Sequence, residues 1–333
     1  MARRSTQPRP DTVIDGGPLT DGARRLARFD QPRGRETTIA VLADPHLSGT
    51  AHGTIKMYHR SKQRLETALT DARGRDVDLS VLAGDITKDG ERAEYELATA
   101  LLRNGPDPTI AVPGNHDVAY DGDRGPVPDG NAFAAWRGQR GFPRTHSYGG
   151  VDVLALDSTR TDGTTKVGGA LTTETRGWLA ALPEPSGPRI AVCHHPFGPV
   201  PEPFGSALPD GSYRLTNSRV VADELVSAGV DLAVTGHVHW PYVTEYRGLT
   251  VIGAPSVSSF PPAYFLVQID ATGTTVSLVP LAGETGLTEA YEFALEDENR
   301  GDAIREAVST GYFDSLLGRS TESPTADSVS SVL

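Results

Sequence analysis

The chain has 333 residues, a formal net charge of −12 and one cysteine, Cys193. The length suits one large domain or two small ones with a buried core. The lone cysteine excludes an internal disulfide and thiolate zinc clusters, and the acid excess speaks against an extended nucleic-acid duplex or an anionic membrane as partner.

Residues 1–36 are rich in Arg, Pro, Gly and Asp, show little apolar periodicity and read as a loosely ordered arm. Arg3 and Arg4 have no apolar run behind them, so the pair does not read as an export signal. No apolar run approaches the roughly 20 residues that span a bilayer, and the expected location is the cytoplasm. Strands are expected at 37–43, 78–83, 109–112, 151–156, 189–193 and 230–235. Helical spacing of apolar residues predicts helices over 60–75, 91–103 and 217–228, the last stopped by Gly229. Closing strands are expected at 249–253, 264–269 and 274–280, the last two a hairpin around Ala271–Gly273. Residues 281–317 read as an extension with a helix near 302–308. It could cover the sheets, cap a site or form a homodimer contact, and no residue pattern decides among these. The Ser/Thr-rich tail, 318–333, reads as disordered. Continuous apolar strands alternating with helices imply sheets covered on their faces, an α/β sandwich of two mixed sheets with flanking helices.

The informative residues stand directly after the strands. The strand ends carry Asp44-Pro45-His46, then Gly84-Asp85, then Gly114-Asn115-His116-Asp117, then His194-His195-Pro196, then Gly236-His237-Val238-His239. Ligands sit outside the C-terminal ends of strands in open α/β folds. Each cluster alone has an ordinary reading: a solvated turn, an Asx cap, an N-cap, a strand end before a proline break, a cross-strand histidine pair. Five in succession, all at strand ends, point to a metal site. Carboxylate, amide and imidazole donors suit borderline divalent ions such as Mn, Fe, Co or Zn. Two such ions need a shared ligand holding them roughly 3.5–4 Å apart, and a carboxylate can bridge them.

In these five blocks the sequence resembles the calcineurin-like metallophosphoesterase superfamily, whose signature runs Asp-x-His, Gly-Asp, Gly-Asn-His-Asp/Glu, His, Gly-His-x-His in this order. The resemblance spans Asp44 to His239 and implies an αββα sandwich over 37–280. It implies that Asp44, His46, Asp85 and His239 hold a first ion. Asp85, Asn115, His194 and His237 would hold a second, with Asp85 bridging. His116 would protonate the leaving oxygen, oriented by Asp117 accepting its other N–H, while metal-bound hydroxide attacks a small phosphate ester. Either imidazole of His194-His195 could be the ligand. The family usually uses the residue directly behind the strand, which gives His194 and leaves His195 in a supporting role. The His-His-Pro strand end, Gly253–Ser256 and Pro262-Ala263-Tyr264 look most like the cyclic-nucleotide and glycerophosphodiester phosphodiesterase branch. A phosphomonoesterase or nucleotidase would use the same site with other loops. A non-catalytic scaffold would have lost ligands, and none is missing here.

Segments near the blocks are candidates for substrate contact. The loop after Asp44-Pro45-His46 carries His52, Lys56, Tyr58, His59 and Arg60. These read equally as phosphate contacts or as a solvated basic start to the next helix. Phe133, Trp136 and Phe142 in one loop and Phe197, Phe204 and Tyr213 in another could stack on a base or pack the loops. Trp240-Pro241-Tyr242 is a candidate pocket wall, and Cys193 reads as a buried, inert thiol.

Overall fold

The computed structural model describes residues 22–118, 130–136, 138, 141–159, 168–208 and 213–314. Residues 1–21 of the arm and the expected disordered tail lie outside them. The strands are β1 (Arg24–Phe29), β2 (Thr37–Leu42), β3 (Leu79–Ala83), β4 (Thr109–Val112), β5 (Arg144–Tyr148), β6 (Val151–Ala155), β7 (Arg189–Val192), β8 (Leu232–Thr235), β9 (Tyr242–Tyr246), β10 (Leu249–Gly253), β11 (Ala263–Asp270) and β12 (Gly273–Pro280). The helices are α1 (Tyr58–Gly74), α2 (Arg92–Leu102), α3 (Gly130–Trp136), α4 (Thr173–Ala180), α5 (Ser218–Ser227), α6 (Glu284–Leu295) and α7 (Gly301–Ser309).

The described strands form two six-stranded mixed sheets, ordered β1-β12-β11-β2-β3-β4 and β5-β6-β7-β8-β10-β9. The two-residue periodicity of the strands builds the layers. Ile39, Val41, Val81, Ile110 and Val112 from the first sheet meet Val153, Ile190, Val192 and Val234 from the second in one inner core. Their sequence neighbours Ala40, Leu42, Leu82 and Ala111 face outward, against Leu65, Leu69, Ala98 and Leu102 of α1 and α2. On the far side Leu154, Ala191 and Ala233 face Leu179, Val221 and Leu225 of α4 and α5. The α/β sandwich is therefore helix, sheet, sheet, helix. Each buried Val, Ile or Leu contributes roughly 1.5–3 kcal/mol of burial.

Beyond β5, β9, α3 and α4, which the apolar pattern did not mark, two segments depart from expectation in ways that bear on the site. Residues 24–29, read as part of the arm, form edge strand β1, antiparallel to β12. The extension is two helices rather than one, and it uses its apolar face on its own chain. Ala290, Ala294, Ala303, Ile304, Ala307 and Phe313 join the inner core beside Phe204, Trp240 and Phe260. Glu289 of α6 also takes Arg60 of α1 through Nε at 3.0 Å and Nη2 at 2.9 Å.

This topology gathers the site. β2, β3 and β4 are mutually parallel, as are β7 and β8, so their C-terminal ends lie on one edge of the two layers. All five motif blocks leave from those ends.

Candidate metal centre

The motif residues hold unusual backbone. Nine non-glycine residues among those described have positive φ, and five of them are Asp44, His46, Asp85, His237 and His239. Such backbone costs roughly 1–3 kcal/mol per residue and persists where surroundings enforce it. Two glycines make the close packing sterically feasible. A Cβ on Gly114 would lie 2.2 Å from Asp85 Oδ1, and one on Gly84, at φ +89°, would lie 2.5 Å from His194 Nδ1.

The donor atoms converge in overlapping groups: two hold the expected ligands, and a third joins His116 to His46 and Asp85. In the first, His46 Nε2 lies 3.1 Å from His239 Nε2. Asp44 Oδ1 is 4.0 Å from His46 Nε2 and 3.5 Å from His239 Nε2. In the second, His194 Nε2 lies 3.1 Å from Asn115 Oδ1 and 3.1 Å from His237 Nδ1. Asp85 Oδ2 stands between the groups, 3.6 Å from His46 Nε2 and 3.4 Å from His194 Nε2. Asp44, His46, His194 and His239 are buried.

Tautomers show what this cavity wants. His194 Nδ1 donates to Ala83 O at 2.9 Å, so its Nε2 is the nitrogen turned to the Asn115 and Asp85 oxygens. Acceptor oxygens gathered around a buried ring nitrogen call for a proton or a metal ion between them. Burial pushes the His194 imidazole down, yet the Asp85 and Asp44 charges hold it up at about 9, so a proton fills Nε2 until a metal ion displaces it. Burial holds His46, His237 and His239 below the ordinary imidazole range, so they remain neutral with lone pairs available. Oxygen and imidazole donors of this kind fit divalent metal ions.

His194, rather than His195, belongs to the cluster. Ser158 Oγ accepts the backbone N–H groups of His194 and His195, both at 3.2 Å, and lies 2.9 Å from His195 Nδ1. Burial and the adjacent His194 push the His195 imidazole down to about 3. His195 is thereby a neutral prop of the strand end.

His116 stands beside the groups, its ring centroid 4.7 Å from that of His46. Its backbone N–H donates to Asp85 Oδ1 at 2.8 Å, and its Nδ1 donates to Lys88 O at 2.6 Å. The expected Asp117 contact is therefore corrected: the Lys88 carbonyl orients the His116 ring. The Asp117 carboxylate instead accepts from the backbone N–H groups of Ile86, Thr87 and Gly114 and from the Thr87 hydroxyl, at 2.7–3.1 Å. It clasps the two loops that carry Asp85 and His116. Burial and the Asp85 charge push this carboxyl up, against the four hydrogen bonds that favour its ionised form.

Lys56, equally a phosphate contact or a solvated helix start by its sequence, lies in the centre. Its Nζ donates to His116 Nε2 at 2.7 Å. Burial lowers this ammonium to about 8, although Asp85 and Asp44 pull the other way. Its neighbours go elsewhere: His59, like Arg60, turns to Glu289, at 3.3 Å. Aromatic candidates prove to be packing. Trp240 is buried and stacks on Phe204 at 4.1 Å, while Phe133 packs against Tyr95, Trp136 and Phe142. Cys193 is buried, donates to His195 O at 3.3 Å and has its thiol pushed up by burial, which makes it inert. No helix among the described residues is long and apolar enough to cross a membrane.

Comparison with known proteins agrees with this geometry. The family model for calcineurin-like phosphoesterases matches residues 37–241, more than half of the chain. A probable cyclic nucleotide phosphodiesterase of Pseudoalteromonas sp. (strain SM9913) is 27% identical over 223 residues, covering 66% of this chain and 78% of that protein. A 3′,5′-cyclic-nucleotide phosphodiesterase of Nostoc sp. (strain PCC 7120) is 28% identical over 227 residues, covering 66% and 77%. Among solved structures, a dimetal phosphatase from Danio rerio superposes with a TM-score of 0.54 at 15% identity, covering 73% of this chain and 99% of that one. A purple acid phosphatase from yellow lupin gives 0.51 at 13%, covering 75% and 52%. At these identities the structural matches speak to fold alone.

Proposed function

The chain belongs to the calcineurin-like phosphoesterase family and is a phosphoric ester hydrolase, and from that premise we propose that it cleaves small phosphodiesters, of the cyclic-nucleotide kind, at a centre of two divalent ions. Asp44, His46, Asp85 and His239 would hold one ion, and Asp85, Asn115, His194 and His237 the other. The observation that carries this reading is the single Asp85 oxygen, 3.6 Å from a nitrogen of one group and 3.4 Å from a nitrogen of the other. Bound there, divalent ions supply Lewis-acid polarisation of the phosphoryl group and lower the pKa of coordinated water; Mn, Fe, Co and Zn all suit the donors.

The chain's own groups do the rest. His116 keeps its Nδ1 proton on the Lys88 carbonyl, so Nε2 is the atom that exchanges a proton with the ester. It receives a proton from solvent or a neighbour and delivers it to the leaving oxygen as the P–O bond breaks. Asp85 ties these parts together in space, because its Oδ1 accepts the His116 backbone N–H while its Oδ2 serves the metal groups. Asp117 fixes the loops of both residues.

Preference for diesters is supported by the names of the relatives and by the local segments around Gly253–Ser256 and Pro262–Tyr264. Relative kcat/KM on bis-p-nitrophenyl phosphate and p-nitrophenyl phosphate, with Mn present, tests it. The diester is expected to be the better substrate by about tenfold or more, a difference of ~1.4 kcal/mol in transition-state binding. Faster turnover of the monoester would move the assignment to a phosphomonoesterase.

A further inference from the structure

We propose that Lys56 is a substrate-contacting residue of this centre, its ammonium hydrogen-bonding a non-bridging phosphoryl oxygen next to the leaving oxygen that His116 serves. The inference rests on the hydrolase reading above and adds a contact that the five motif blocks do not contain.

Position is the first ground. Lys56 Nζ sits 2.7 Å from His116 Nε2, the nitrogen that must reach the ester. Anything His116 touches through that atom comes within hydrogen-bond range of the ammonium. An ester entering the centre must either displace Lys56 or be bound by it. Displacement would cost the contact to His116, whereas binding keeps the charge beside an anion.

Donor capacity is the second ground. An ammonium carries three N–H donors, and among the described residues the one hydrogen bond of the Lys56 side chain goes to His116. No ion pair ties this ammonium among the described residues. Two donors thus remain, in a half-buried position where an unpaired charge is costly. Phosphoryl oxygens would satisfy them.

The local chain is built to place it. Gly53, Thr54 and Met57 all have positive φ, at 75°, 60° and 49°. The turn closes through Met57 N–H on Thr54 O at 2.9 Å, and the Met57 side chain is fully buried in the inner core. The core thus anchors the residue beside Lys56, and the turn carries its neighbour to the strand ends. A second cation approaches the same space from the extension. Arg300 lies over the Trp240 ring at 5.5 Å from its centroid, one residue beyond His239 in sequence, and its charge acts on Asp44, His239 and Lys56. In a chain of net charge −12, these are the local positive charges that offset long-range repulsion of an anionic ester.

The test uses full-length, Mn-loaded protein: wild type, Lys56→Met, Lys56→Arg and Lys62→Met, the last removing an exposed lysine from α1 as a control for net charge. Orthophosphate affinity is measured by calorimetry, turnover of bis-p-nitrophenyl phosphate is measured on the same samples, and thermal melts verify folding. We expect Lys56→Met to weaken orthophosphate about tenfold or more, the size of a lost charge-assisted hydrogen bond. Lys56→Arg should recover most of the loss, and Lys62→Met should match wild type. An unchanged orthophosphate Kd in Lys56→Met overturns the proposal. If kcat nevertheless falls there, Lys56 only steadies His116. In both of those cases an active wild type leaves the hydrolase reading standing. A wild type that turns over no ester overturns that reading, and this inference with it.

Discussion

Replacing Asp85 by alanine is expected to strip the centre of metal and to lower phosphoester turnover by about three orders of magnitude or more. The size comes from the several kcal/mol that Lewis-acid stabilisation contributes, at ~1.4 kcal/mol per tenfold in rate. Asp85 links the parts of the site. Its Oδ2 is the atom common to both nitrogen groups, and its Oδ1 holds the His116 backbone. Asp85→Asn separates the two tasks. The amide keeps an acceptor for the His116 N–H and the shape that Gly114 admits, but it loses the negative charge. Both variants should lose metal by elemental analysis, with Asp85→Asn keeping the wild-type fold. Full metal content in either would remove Asp85 from the bridging role.

His116→Ala is expected to behave differently, keeping its metal and losing rate by about 10²–10⁴-fold, the range of a lost general acid. The loss should depend on the leaving group. Esters of p-nitrophenol, which departs readily as an anion, should lose least, and alkyl esters, whose alkoxide needs a proton, should lose most. A series of aryl and alkyl diesters gives the dependence directly. The separation is legible in the contacts: His116 Nδ1 is committed to the Lys88 carbonyl, which leaves Nε2, beside Lys56, as the nitrogen that faces the ester. An equal loss across the series would deny His116 the role of acid. Loss of metal along with activity would make it a ligand, a role its nearness to His46 and Asp85 makes worth testing.

Much of this site was legible in the chain because its information is local. Each block couples a strand to the loop residues directly behind it. Asp44, Asp85, Asn115, His194 and His237 therefore arrive together as soon as β2, β3, β4, β7 and β8 run in parallel. Gly84 and Gly114 mark the close approaches in the same blocks. The contacts that sequence missed depend on tertiary placement. Asp117 looked like a partner for His116, yet its oxygens went to backbone N–H groups, which no sequence displays. Lys56 lies in a turn whose direction is set by burial of Met57, so its arrival at His116 has no local signature. Edge strands β1 and β5 were missed for a physical reason too. β1 (RRLARF) and β5 (RTHSY) pair on one side and are mostly polar and solvated, so their pairing is backbone pairing with little apolar pattern. The first helix of the extension was missed because its buried stripe is Gly286, Ala290 and Ala294, small residues that give weak apolar periodicity yet line the core.

The central claim is that two divalent ions share Asp85, and anomalous diffraction from Mn-loaded crystals, with metal content measured on the same protein, tests it most directly. The expected result is two ions per chain on either side of Asp85 Oδ2, one among Asp44, His46 and His239 and the other among Asn115, His194 and His237. A single ion, or a pair of ions that Asp85 does not touch, would contradict it.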